Sequence, residues 1–156
     1  MPSSVTHDTL VLERDYPAAP ARVFAAFADP EARLRWGPPS DTVRMIYEAT
    51  DFRVGGQDIA WCGSGEALSY RVETRYEDIV PNARLVMTET VSEDGGRLSV
   101  SLITVTFVAQ QSGTRLVLID QIAALDGSDM VTGSRMGWNA SLDNLNRELG
   151  LTAETA

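Results

Sequence analysis

The spacing of apolar positions changes three times along the chain, and each change marks a different class of element. Leu10 to Arg14 reads as a short strand, closed by Pro17 and Pro20. From about Ala21, Val23, Phe24 and Phe27 recur at helical spacing, and beyond Pro30 the set continues with Leu34 and Trp36. This predicts two short helices, ended by GPPSD at 37–41, where successive prolines remove donors and fix φ. From Thr42 to Ile122 about six strands follow, separated by Gly55-Gly56, Gly63 with Gly65, Pro81-Asn82, Asp94-Gly95-Gly96 and Ser112-Gly113.

The clearest two-residue alternation lies at 68–77, where Leu68, Tyr70, Val72, Thr74 and Tyr76 share one parity and Arg71, Glu73, Arg75 and Glu77 the other. Across 100–107 it slips: Val100 and Leu102 give way to Ile103, Val105 and Phe107, which fits a bulge or a strand covered on both faces. After the capping-type run Asp126-Gly127-Ser128-Asp129, Trp138, Leu142, Leu145 and Leu149 form one face of a helix expected to end at Gly150, with a frayed tail from Thr152 to Ala156. Gly133 and Gly137 each cost about 1 kcal/mol of helix propensity relative to alanine, so they suggest close backbone approach, a kink or a later start.

Strand, two short helices, six strands and one long helix is a segregated α+β order. It predicts a seven-stranded curved antiparallel sheet around the C-terminal helix. A bent sheet and a straight cylinder of roughly 10–12 Å diameter cannot touch along their whole length, so an internal cavity is expected.

The length fits one domain over residues 1–156. Twenty-two carboxylates against 13 cations give a net charge of −9, which disfavours nucleic acid and anionic membrane surfaces as partners. All the cations are arginine; without lysine, Schiff-base chemistry and a GxxxxGK phosphate loop are excluded. Gly55-Gly56 leads into a strand, not a helix, and reads as a turn. One cysteine, Cys62, and one histidine, His7, argue against a metal site, so neither metal nor cofactor is expected. MPSSVTHDTLVLERDYPAAP lacks the basic start and apolar run of a signal peptide, which points to a cytoplasmic protein.

PAAPARVFAAFADPEARLRWGPP, DFRVGG, EDIVPNARLV, GTRLVLID and GWNASLDNLNREL, in this order over residues 8–149, resemble the START-like (SRPBCC) superfamily. Within it, the chain is similar to the branch containing the C-terminal domain of the activator of the 90-kDa heat-shock-protein ATPase. The resemblance implies a helix-grip fold with an elongated cavity between helix and sheet. It also implies a functional range spanning binders of lipids, hormones and polyketides, some cyclases and hydrolases, and chaperone-associated modules. Trp138 corresponds to the tryptophan of the family's GW signature.

Two carboxylates share parity with apolar neighbours: Asp120 with Leu116, Leu118 and Ile122, and Glu89 with Leu85, Met87 and Val91. They are the candidate proton-transfer groups; pairing with arginine or a wet strand end is the plainer alternative. Trp36, Tyr47, Trp61, Tyr70 and Trp138 are candidate ligand contacts, joined by Met87 and Met136 as a deformable lining, although each also reads as core. Arg33 and Arg35 read as solvated cations, or as anchors for an acidic head group at a cavity mouth. Three functions follow: binding of a small apolar or aromatic molecule, acid–base catalysis on such a molecule, or a chaperone-associated interaction module. Uncovered sheet edges also leave room for a homodimer.

Overall fold

Strand pairing sets the lengths of the elements more than local propensity does. The computed structural model describes residues 3–155, with side chains as far as Gly150. Its elements are β1 (Val5–Tyr16), α1 (Pro20–Ala28), α2 (Pro30–Trp36), β2 (Val43–Ala49), β3 (Gln57–Ser64), β4 (Tyr70–Val80), β5 (Arg84–Glu93), β6 (Gly96–Gln110), β7 (Gly113–Leu125) and α3 (Met130–Thr155). The strands form one antiparallel sheet in the order β1-β7-β6-β5-β4-β3-β2. β1 is longer than its apolar core suggests because it pairs with β7 from Val5↔Leu125 to Tyr16↔Thr114.

Local chemistry then places the helices. Pro20 and Pro30 open α1 and α2, where a missing N–H costs nothing, and the Asp29 side chain caps α2 by accepting from the Glu31 N–H. The prolines of the following loop leave carbonyls to be satisfied from elsewhere, and α3 supplies the donors: Asn144 to Pro38 at 2.9 Å, and the Ser141 hydroxyl to Gly37. At the β6–β7 turn Gly113 is required, because a Cβ there would meet the Tyr16 carbonyl oxygen at 2.0 Å.

On the concave side α3 buries Leu142, Leu145 and Leu149 in a cluster with Leu12, Leu116 and Leu118, each full burial worth about 1.5–3 kcal/mol. α1 turns Phe24 and Phe27 onto Phe107, with ring centroids 5.6 and 5.4 Å away. On this half of the sheet, β1, β7 and β6, the helices α1 and α3 pack into a shared core with the strands.

Three expectations change. β6 has no bulge across 100–107: its register with β7 is unbroken from Ser99↔Ala124 to Gln110↔Gly113, and the shift lies at Val91/Ser92 against β5. Ser99, Ser101, Ile103, Val105 and Phe107 face inward, while Val100 and Leu102 lie on the more exposed outer face, so the apolar slip reflects serines placed inside. α3 continues through Gly150 to Thr155, since one glycine's propensity cost does not end a helix; of the tail expected to fray, Ala156 lies outside the described residues. Of the alternatives raised by Gly133 and Gly137, the later start holds, since α3 begins at Met130, and the close approach does not: a Cβ on Gly133 would meet only Met130 Sδ, at 3.9 Å, and one on Gly137 nothing within 4 Å. Among the described residues, no helix is long and apolar enough to cross a membrane.

Candidate functional site

Beyond the packed half, α3 lifts off the sheet. A pocket of about 290 Å³ lies between β2–β5, the loop after α2 and the stretch of α3 carrying Ser134, Gly137, Trp138 and Ser141. Its walls are mostly apolar, formed by Phe27, Trp36, Ala60, Val72, Leu85 and Met87. The register adds a polar row across this concave face: Asp58 of β3 pairs with Thr74, Thr74 with Glu89, and Glu89 with Ser101. Asp120 of β7 stands beside the row, paired with Ile103, the next inward residue of β6.

At one end of the row the charge is balanced. Arg33 of α2 is buried; its Nη1 donates to Asp58 Oδ2 and to the Tyr76 hydroxyl at 3.1 Å, and that hydroxyl also donates to Asp58. The Asp51 N–H donates to the other Asp58 oxygen at 3.0 Å, and the Arg33 guanidinium lies over the Tyr47 ring, 5.1 Å from its centroid. Nε and Nη2 of Arg33 are enclosed and close no hydrogen bond. Burial works against the guanidinium's charge, but Tyr76, Tyr47 and Asp58 outweigh it and raise its pKa. Burial likewise raises the Tyr76 and Tyr47 hydroxyls, keeping both protonated.

At the other end it is not. Glu89 is packed deep in the molecule, yet keeps some accessible surface because the space it faces is the pocket. Burial, and then the negative charge of Asp120, push its carboxyl up from 4.5 to about 7. Asp120 is 1% exposed, and neither of its oxygens has a hydrogen-bond partner. Burial raises its carboxyl too; the Ser101 hydroxyl and the Trp138 indole N–H pull the other way without closing a bond on either oxygen. No arginine answers either carboxylate among the described residues. A carboxyl held near neutrality on a pocket wall can give or take a proton, or meet a cation.

The structure brings Trp36, Tyr47, Met87, Glu89 and Trp138 to this pocket. Trp36 serves as wall alone, since its indole N–H is taken by the Ala26 carbonyl at 3.0 Å. Four expected residues lie elsewhere. Asp120 is enclosed and does not line the pocket. Trp61 points to the convex face, opposite in parity to Asp58 and Ala60, and bonds Glu48. Tyr70 is on the inward parity but beyond the pocket, beside Cys62 and Glu93. Met136 is 68% exposed, one residue away from the inward face of α3. Cys62 is half-buried, its thiol pushed up by burial and by Glu89, which leaves it unreactive.

Arg33 is the residue that sequence reasoning misplaced. It is neither solvated nor at a mouth, and the available signal was its place between Ala32 and Trp36, both buried, on a seven-residue helix. Arg35 is exposed but not free: it grips Glu148 through two bonds of 2.8 Å.

With this geometry in hand, the comparisons are informative. The model of the family described as Activator of Hsp90 ATPase homolog 1-like protein matches residues 17–150. A solved structure from Rhizobium leguminosarum is 34% identical with a TM-score of 0.87, covering 96% of this chain and 99% of its own. One from Rhizobium loti is 36% identical with a TM-score of 0.83, covering 93% and 99%. A third, from Chromobacterium violaceum, is 26% identical with a TM-score of 0.80, covering 90% and 96%. No curated protein matches the chain. The sheet gripping α3, the pocket between them and the match over residues 17–150 agree: the chain belongs to the Activator of Hsp90 ATPase homolog 1-like family, in the START-like (SRPBCC) superfamily.

Proposed function

We propose that this protein binds a small, largely apolar molecule in the pocket beneath Trp138. The observation that carries the reading is a hollow of about 290 Å³ with mostly apolar walls and a few convergent polar groups, at the lower end of the range for small-molecule sites. Such a volume suits a one- or two-ring compound better than a long lipid chain. Gly137 supports the reading, because a residue that costs helix stability here leaves open space above the sheet.

The test is displacement of an apolar fluorescent probe, together with native mass spectrometry of the protein as purified. Gly137→Leu places a side chain in the hollow without a backbone clash. The expected result is a probe signal or co-purified mass in the parent that is lost in the folded variant. Equal behaviour of the two proteins would remove the pocket from the account.

A second reading, acid–base catalysis on the bound molecule, is favoured by Glu89. It lines the pocket, has no arginine partner and titrates near neutrality, where a general acid or base works best. Turnover with a pH profile centred near 7 and abolished by Glu89→Gln is the result this reading requires.

A further inference from the structure

Resting on the small-molecule reading above, we infer that the preferred ligand class is an organic cation: a protonated amine on an aromatic or apolar body, its ammonium group directed at Glu89.

Charge balance on the pocket's walls sets the sign of the ligand it suits. Arg33 and Asp58 cancel within hydrogen-bonding contact, so that wall presents no net charge to a ligand. Glu89 and Asp120 sit on neighbouring inward positions of β5 and β7 with only Ser101 and Ile103 of β6 between them. Asp120, enclosed and outside the pocket lining, adds its negative charge to Glu89 with no arginine to offset it. Two buried carboxylates without a counter-charge are costly, and a ligand carrying the missing positive charge relieves that cost. The aromatic rings of Trp138 and Trp36 suit an organic cation as well. A net charge of −9 concentrates cations at the surface and repels anions.

The one cation among the pocket's lining residues, Arg33 of α2, is held by Asp58 and is not among the charges that act on Glu89. Across the sheet it faces Thr74 of β4 and Ser101 of β6. Asp120 of β7 acts on it electrostatically, and it acts in turn on Cys62 of β3 and Tyr47 of β2, none of them positive. From α3 the pocket receives Ser134, Gly137, Trp138 and Ser141, all uncharged.

Three matched probes separate charge from shape: tryptamine, its neutral analogue tryptophol and its acidic analogue indole-3-acetate, titrated calorimetrically into the full chain. At about pH 8, where Glu89 is ionised, tryptamine is expected to bind roughly tenfold or more tighter than tryptophol, with indole-3-acetate weakest. The preference is expected to shrink at about pH 5.5, where binding must also release a proton detectable from the buffer dependence of the heat. Glu89→Gln is expected to abolish the preference; should that variant not fold, the pH profile and proton release of the parent protein decide the matter.

Tryptophol or indole-3-acetate binding as tightly as tryptamine would overturn the amine assignment and leave the apolar-ligand reading standing. A preference that survives in folded Glu89→Gln would overturn the role of Glu89. Binding of none of the three would overturn both the assignment and the reading beneath it.

Discussion

On the Arg33 wall of the pocket a guanidinium, a carboxylate and a tyrosine hydroxyl close on one another; on the Glu89 wall one carboxylate faces the pocket and a second, Asp120, is enclosed nearby, with no cation between them. Both walls are buried, so burial alone does not distinguish structure from function. What differs is charge balance: Arg33 keeps two nitrogens without partners, but its charge is met by Asp58. The first set satisfies its charge internally and locks α2 to β3 and β4; the second leaves its charge for something outside the chain to answer.

Breaking the first wall should have the largest effect. Arg33→Leu strands the buried Asp58 carboxylate, and the expected loss is about 3–5 kcal/mol of stability by denaturant unfolding. A loss below about 1 kcal/mol, the scale of an exposed pair, would mean that the wall is not closed as described.

Relieving the second wall should do the opposite. The folded pKa of Glu89, about 7, lies above its ordinary value of 4.5. Between these values the unfolded chain releases a proton that the folded one retains, so this group's contribution to stability falls as pH rises through that window and is level outside it. Glu89→Gln removes the term. Its stability relative to the parent should be unchanged below about pH 4.5 and grow to about 3 kcal/mol above pH 7, read from unfolding curves across the range.

Gly137→Ala tests the hollow from the helix side. Its Cβ meets nothing within 4 Å, so the expected gain is about 0.5–1 kcal/mol, with thermal melting as the readout. A loss would show that the space is filled. Met136→Ala, on the outer side of α3, should stay within about 0.5 kcal/mol and leave probe binding untouched, which confines the effects to the inward face.

Much of the fold was legible because it depends on local signals: prolines opening α1 and α2, turn residues between strands, and leucines at steps of three and four in α3. The parity of Glu89 and Asp120 was legible for the same reason, since each sits among apolar residues two positions apart. Their pairing was not. Asp58, Thr74, Glu89 and Ser101 form a row only through the register of four strands, and in each strand taken singly they are one polar residue on a mixed face. Ser99 and Ser101 misled in addition, because Val100 and Leu102 are more apolar yet point outward. Arg33 was illegible because its partners Asp58 and Tyr76 lie 25 and 43 residues away. Trp61 and Met136 failed for a simpler reason: residue type suggests a pocket, but parity decides the face.

The contrast between the two walls reduces to the ionisation of one side chain. Carbon-13 labelling of the glutamate side chains, with Glu89→Gln to assign the resonance, follows that ionisation directly in the ligand-free protein. The account predicts a carboxyl titration midpoint near 7 for Glu89. A midpoint near the ordinary 4.5 would mean that a cation or water already answers the charge, and would contradict the unbalanced wall on which the function rests.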